Sequence, residues 1–391
     1  MINDKSLATD QVREKMKIVI NALQYRPNGS GVAVNMRELF SPFTELSRWP
    51  ILLVLPKDSP KFPCSAATHR LSAPCTYAHG VRRILFQSFI LGWKYCKDAV
   101  LLTVDSKIPL ILPRSCRLMP LITDLAVFRF PETYQFSRVL LWKLQYRYLC
   151  RRADHYFTIS DFTRSEMTEI LGIAPDKIDI IPCAAPEAIR RVSDAAALRA
   201  LRDKYCLSGS YILFVGNFNP RKNLQRIIRA FDRFKRDTGL PHELVIAGGQ
   251  GWKFDPAKAL KEITAKDCVR FIGFVPNEDM SALYSAAELF VFPTLYEGFG
   301  IPVIEAQKCG VPVLTSNVSS LPEVGGDGVL TVDPYDEAAI ARGMEELLTN
   351  TVLREELIRR GFHNAERFSW AYSAQKLNQI IERLIENGLE E

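Results

Sequence analysis

No stretch of this chain holds the roughly 18 to 20 consecutive apolar residues that a bilayer-spanning helix needs, which excludes a membrane-spanning class. Residues 1–15 are polar and lack the apolar segment of a secretory signal, so they are expected to be a frayed extension and the protein cytoplasmic. Cys-x-x-Cys is absent. The nine cysteines are odd in number and scattered from Cys64 to Cys309, which argues against a disulfide framework or a zinc site and for a reducing compartment. An Asp-x-Asp metal motif is lacking too, and no metal or cofactor is called for. Low-complexity tracts are missing; with 47% apolar and 24% charged residues the chain reads as globular.

What is present points to two domains, because 391 residues exceed what one hydrophobic core usually serves. Short apolar runs at 17–23, 51–55, 99–104, 118–123 and 155–160 alternate with loops and helical spacing, and the alternation resumes with YILFVG at 211–216. Such alternation predicts α/β domains with parallel, doubly wound sheets. We expect an N-terminal Rossmann-like domain at 16–195, joined by a C-terminal helix at 371–388 packing back on it, and a second at 205–370. Ligands of such sheets bind beyond the carboxyl ends of strands, so a cleft between the domains is the expected site.

Charge is uneven. Residues 1–200 carry 28 Lys/Arg against 18 Asp/Glu, leaving 22 against 26 for the rest, and residues 51–150 alone hold 14 against 5. The basic half suggests an anionic partner, acidic lipid or a phosphorylated acceptor, or else a solvated surface. The acidic second half and the want of a known module disfavour nucleic acid.

The stretch TLYEGFGIPVIEAQKCG (294–310) sets Glu297 and Glu305 around Gly298, Phe299, Gly300 and Pro302. It follows the apolar run LFVF and precedes helical spacing, with proline in the first turn, where its missing N–H costs nothing. Backbone amides at a helix start form an anion site, and glycine lets a phosphate approach closely. Carboxylates accept paired hydrogen bonds from vicinal hydroxyls, so the spacing suits a diphosphate flanked by two polyol rings. The plainer alternative is that Glu297 caps a helix and Glu305 pairs with a lysine.

The second half thereby resembles the retaining glycosyltransferase family 4, of the GT-B fold, whose signature is a pair of glutamates eight positions apart. The resemblance is strong over residues 205–370. It implies two Rossmann-like domains facing a central cleft, the second binding a nucleoside diphosphate sugar. It also implies that Glu305 holds the donor ribose while Glu297 and the backbone of Gly298, Phe299 and Gly300 contact the donor sugar. In FVGNFNPRKNL (214–224), Lys222 matches the family's phosphate-binding lysine. Arg221 is a candidate second cation, since Asn217 stands where an arginine often follows the glycine. Phe274 and the backbone of Val275 fall where the family lines its nucleobase pocket, with core packing the alternative for Phe274. In the first domain Gly29 and Gly31 match a loop that approaches donor phosphate and acceptor. Asp124 matches the aspartate of a His-Asp pair whose histidine is here Thr123. Ser160 is a helix N-cap, or alternatively an acceptor-side or phosphate contact.

The implied activity is transfer of a hexose, mannose from GDP-mannose as a first guess, to a saccharide or polyprenyl-diphosphate-linked or other lipid acceptor, with retention and without a metal, in polysaccharide or lipopolysaccharide synthesis. A non-catalytic nucleotide-sugar-binding subunit, an epimerase or a phosphorylase are the alternatives. Plotted at about 100° per residue, 81–97 (VRRILFQSFILGWKYCK) places Arg82, Arg83, Lys94, Lys97, Phe86, Ile90 and Trp93 on one arc, with Ile84, Leu85, Phe89 and Leu91 elsewhere. That helix is a candidate contact with the inner face of an acidic membrane, or an ordinary surface helix weakened by Gly92.

Overall fold

A computed structural model describes residues 16–25, 31–59, 62–76, 80–105, 108–249, 251 and 254–387. The chain divides into two compact units: one runs to Cys183 and takes back Ser369 onward, and the other is Ala184–Phe368. The crossing thus falls ahead of the helix Ala195–Lys204, earlier than the break expected between 195 and 205.

The first unit is built on a seven-stranded sheet of β1 (Lys17–Asn21), β2 (Ile51–Pro56), β3 (His69–Ala73), β4 (Ala99–Val104), β5 (Arg117–Ile122), β6 (Tyr156–Thr158) and β7 (Ile178–Ile180). Its order is β3-β2-β1-β4-β5-β6-β7 and every pairing is parallel. AVLLTV of β4 is buried at every position, as a strand covered by helices on both faces must be. Two strands carry no apolar run that would announce them: β3 (HRLSA) is a largely exposed edge, and β7 has three residues. The C-terminal helix Trp370–Asn387 lies in this unit. Arg48 reaches Glu382 at 3.2 Å and Glu386 at 2.5 Å, and Arg117 donates to the Leu384 carbonyl at 2.6 Å.

The second unit repeats the plan with β8 (Tyr211–Val215), β9 (Glu243–Ala247), β10 (Val269–Gly273), β11 (Leu289–Phe292), β12 (Val313–Ser316) and β13 (Leu330–Val332), all parallel in the order β10-β9-β8-β11-β12-β13. Rings seal this core: Phe290 lies 5.5 Å from Phe292 and 5.4 Å from Tyr284, and Phe214 lies 5.9 Å from Phe292. Both sheets reverse direction of winding beside their first strand. At such a switch point the connections leave to opposite faces and a crevice opens at the strands' carboxyl ends. In the second unit that point is between β8 and β11.

The helix expected at 81–97 is interrupted. An α-turn at Gly80–Leu85 passes into a π-helix, Phe86–Leu91, and then back to α at Gly92–Tyr95. Each π-turn takes in one more residue than an α-turn and shifts the phase of the face. Phe86, placed on the outer arc, is buried, while Ile84, Leu85 and Phe89, placed off that arc, are exposed like Ile90 and Trp93. Gly92 is a contact point rather than a weak spot, since a Cβ there would stand 2.0 Å from the Ile111 carbonyl oxygen. Among the described residues no helix is long and apolar enough to cross a membrane.

Candidate active site

Two loops meet where β8 and β11 end. The first leaves β8 through Gly216 and Asn217, makes a 3-10 turn at Pro220–Lys222 and enters the helix Leu224–Thr238 through Asn223. The second runs from Pro293 to Gly300 and enters the helix Ile301–Lys308. Leu295 donates its N–H to the Arg221 carbonyl at 2.8 Å, so the loops are joined by backbone. Lys222 and Glu297 then meet, Nζ to Oε1, at 2.5 Å. Their side chains keep 18% and 13% of their exposure, which shields the pair from bulk water while leaving it reachable. The ammonium also lies 5.0 Å from the centre of the Phe292 ring.

Asn223 holds the first loop in place. It adopts the left-handed region at φ 60°, open to asparagine at modest cost. Its buried amide donates to the carbonyls of Pro293 at 2.9 Å and Pro334 at 2.7 Å. Ser320 braces the second loop. It stands at the N-cap of Leu321–Gly325, yet gives its hydroxyl to the carbonyls of Glu297 (3.0 Å) and Phe299 (2.8 Å). Neighbouring Ser319 accepts the Glu297 N–H at 3.2 Å. Gly300 has φ 102°, and a Cβ there would lie 2.6 Å from a Leu321 methyl, so both conformation and space require glycine. No side chain caps the helix it opens, and Pro302 sits within the first turn. The start of Ile301–Lys308 is thus an amide-lined end with a glycine before it and a cation nearby, suited to a diphosphate.

Glu305, one turn into that helix, accepts from the Tyr284 hydroxyl at 2.8 Å. Burial pushes its carboxyl above the usual carboxylate range, opposed by the Tyr284 hydrogen bond and by Lys308. Neither alternative for the glutamates describes this arrangement: Glu297 is paired with Lys222 and caps no helix, and Glu305 is bonded to a tyrosine. Near the same strand ends, Asn219 Oδ1 and Thr294 Oγ1 are buried without a partner among the described residues, which is how polar atoms awaiting water or a ligand stand.

A family profile, glycosyl transferases group 1, matches residues 207–364, which take in both loops. Those residues form a group 1 glycosyltransferase domain. The O-antigen chain mannosyltransferase B of Escherichia coli is 36% identical over 248 residues, 63% of this chain and 65% of that protein. The serotype-specific mannosyltransferase WbdA of Escherichia coli is 33% identical over 247 residues, 61% of this chain and 30% of that protein. The chain thus spans less than two thirds of the length of these curated relatives. Sucrose-phosphate synthase from Thermosynechococcus elongatus superposes with a TM-score of 0.73 at 18% identity, covering 95% of this chain and 99% of that one, which shows the α/β GT-B fold.

Within the glycosyltransferase domain the other expected residues are spread along the strand ends. Asn217 is exposed beyond β8. Phe274, beyond β10, is 62% exposed and so is not core, while Val275 is buried. Arg221 turns its guanidinium to the Tyr296 ring, 5.8 Å from its centre. Phe299 packs edge-on against Phe368 at 5.4 Å, which leaves its backbone as the part facing the loop. Gly248 is required by crowding, since its Cβ would fall 2.0 Å from the Gly216 carbonyl oxygen.

In the first unit, Gly29 lies outside the described residues and Gly31 opens the helix Gly31–Leu46. Asp124 accepts the Ala126 N–H at 3.0 Å at the start of the short helix Ala126–Arg129. Thr123, where the family has histidine, gives both its N–H (3.1 Å) and its hydroxyl (2.8 Å) to Asp105. Ser160 is fully buried and caps the helix Asp161–Leu171, accepting the Thr163 N–H at 3.1 Å. Sequence reasoning passed over Asn223, Tyr284 and Ser320. Asn223 adjoins Lys222 and was the most findable, since asparagine just before a helix marks special backbone; nothing in the sequence ties Tyr284 or Ser320 to the glutamates.

Proposed function

We propose that this chain is a mannosyltransferase-type glycosyltransferase. It moves a hexose, mannose from GDP-mannose as first candidate, to a saccharide or lipid-linked acceptor in assembly of an O-antigen or lipopolysaccharide glycan. The names of the Escherichia coli relatives support the sugar and the product class. The observation that carries the reaction class is the 2.5 Å meeting of Lys222 and Glu297 ahead of an uncapped helix start.

In this reading the donor diphosphate lies against the amides at Gly300 and Ile301 and draws Lys222 toward itself. As the glycosidic bond breaks, negative charge gathers on the leaving diphosphate. A fixed cation and fixed amide dipoles stabilise that charge more than they stabilise the intact donor, by several kcal/mol in a shielded site. Their positive field takes the place of a metal. Glu297, released, accepts hydroxyls of the transferred sugar; Glu305, oriented by Tyr284, accepts those of the ribose; Phe274 stacks on the base. The departing phosphate oxygen takes the acceptor's proton on the face it leaves, which gives retention. The first unit binds the acceptor, with Asp124 near it.

Thermal melting of the purified protein against a panel of nucleotide sugars tests the donor, since a ligand at 100 times its Kd stabilises by about 2.7 kcal/mol. GDP-mannose should raise the melting temperature more than any UDP-sugar, and proton NMR of the product should show the donor's anomeric configuration. A larger shift with a UDP-sugar would replace the sugar; no shift and no turnover with any would refute the reaction class.

A further inference from the structure

We infer that the first unit carries a docking surface for an anionic lipid bilayer, built from two helices and the loop between them. The reading above permits a lipid-borne acceptor, but the surface stands on its own observations. The broken helix of residues 80–95 and the helix Phe136–Arg152 both pack on the loop at 108–113. Leu110 donates to the Ser88 carbonyl at 2.9 Å, Tyr148 donates to the Leu110 carbonyl at 2.8 Å, and Gly92 is pressed against the Ile111 carbonyl. The loop is the seam between the two helices.

Both sides of that seam present large apolar side chains to water. Trp93 is 70% exposed and Phe89 and Ile90 are exposed beside it; Leu110 and Ile111 are exposed on the seam itself. On the second helix Phe136 is 83% exposed, with Leu140, Leu141 and Leu144 following. Soluble chains rarely leave so much contiguous apolar surface bare unless something covers it. At about 100° per residue Phe136, Leu140, Leu144, Arg147 and Arg151 fall within an arc of roughly 80°, so the stripe is apolar at one end and cationic at the other. The helix's inner face is accounted for by Val139, Tyr146 and Leu149, which are buried.

Charge decides the occupant. Residues 80–152 hold thirteen Lys/Arg and four Asp/Glu. Two of the four are spent inside the fold, Asp105 on Thr123 and Asp124 on the Ala126 N–H. Of the cations, Arg129 is spent on Glu166 and Glu169, and Arg117 and Arg152 on carbonyls, which leaves the excess positive. A second copy docked through the same patch would set these cations against each other. An acidic headgroup layer accepts them, because arginine and lysine lay their stems along apolar surface with the charge held out. Leucine, phenylalanine and tryptophan beside them enter the acyl boundary.

The test is co-sedimentation of the full chain with phosphatidylethanolamine vesicles containing phosphatidylglycerol, and with neutral phosphatidylcholine vesicles. Binding should be confined to the anionic vesicles. It should fall at least tenfold in the triple variant Phe136→Ser, Leu140→Ser, Leu144→Ser, and likewise in Arg147→Glu, Arg151→Glu. These positions are exposed, so the melting temperature and the nucleotide-sugar shift should stay at wild-type values in both variants. Absence of binding, equal binding to neutral vesicles, or full binding by the triple variant would overturn the inference. So would a dimer in light scattering that the triple variant dissociates, since the surface would then belong to a second copy. A wild-type chain that binds vesicles but no nucleotide sugar would sink the transferase reading and leave this one standing.

Discussion

Among the described residues at the carboxyl ends of β1 and β4, Asn21 and Asp105 are short and close on the fold itself. Asn21 accepts the Leu23 N–H at 3.4 Å, and Asp105 takes both hydrogens that Thr123 offers. At the equivalent ends of β8 and β11, long side chains from separate loops meet instead, Lys222 on Glu297, with an uncapped helix start beside them. Both sheets wind in the same order, so both open a crevice at the same kind of place. The difference lies in what fills it. Buried groups bonded to neighbouring backbone are locked by the cost of parting them, whereas an ion pair that is shielded but still reachable, on flexible stems, can be diverted by a stronger anion. Winding order supplies a location, and side-chain reach decides whether a charged pair stands there for an anion to divert.

The strongest way to break this contrast is to remove either half of the pair in the second unit. Lys222→Ala and Glu297→Ala should each lower kcat by about 10² to 10³, the scale of losing one group aimed at developing charge, with melting temperature near the wild-type value. Initial rates with the preferred nucleotide sugar measure it. Near-normal rates would make the pair a structural tie like its counterpart. The matching change in the first unit should act on stability. Asp105→Ala strands the buried Thr123 hydroxyl and N–H, at about 1–3 kcal/mol, read by chemical denaturation. A variant as stable as the parent would show that the first crevice is not locked.

The smallest effect concerns pH. Burial holds the Glu305 carboxyl above the ordinary carboxylate range, and the Tyr284 hydrogen bond pulls it down. A raised pKa means the folded protein takes up this proton before an exposed glutamate would. Donor binding that needs the ionised form is therefore complete above that pKa and is lost as pH falls through it, at higher pH than for an ordinary glutamate. Tyr284→Phe should move this acid limb further up, because the hydrogen bond that pulls the pKa down is gone while Lys308 remains. A pH series of donor affinity by calorimetry would show the shift, and an unmoved limb would separate Tyr284 from donor binding.

Much of the fold was legible because buried parallel strands read as continuous apolar runs. The two missed strands fail that condition: β3 is an exposed edge and β7 is too short to carry a pattern. The face expected for 81–97 holds for Arg82, Ile90, Trp93, Lys94 and Lys97, which are exposed, and fails at Phe86 for a different reason. A 100° wheel presumes an α-helix, and the π-turns at Phe86–Leu91 spend extra residues to seat Phe86 and Leu91 in the core. Of the site, the glutamates and glycines at 297–305 stood out in sequence by their spacing between an apolar run and a helix start, and Gly300 sits at φ 102°, where glycine is required. Tyr284 and Ser320 did not, since a tyrosine in a helix and a serine before one have ordinary uses.

By itself, then, the amino-acid sequence determined the alternation of strands and helices and the local chemistry of each loop, because those depend on periodicity and on near neighbours. Only the tertiary structure decided that Lys222 meets Glu297, 75 positions away, and that Asn223 ties Pro293 to Pro334. The reason is sheet order: β8 is flanked by β9 on one side and β11 on the other, which brings the β8 and β11 loops together, and which strands become neighbours is settled by the packing of the whole unit.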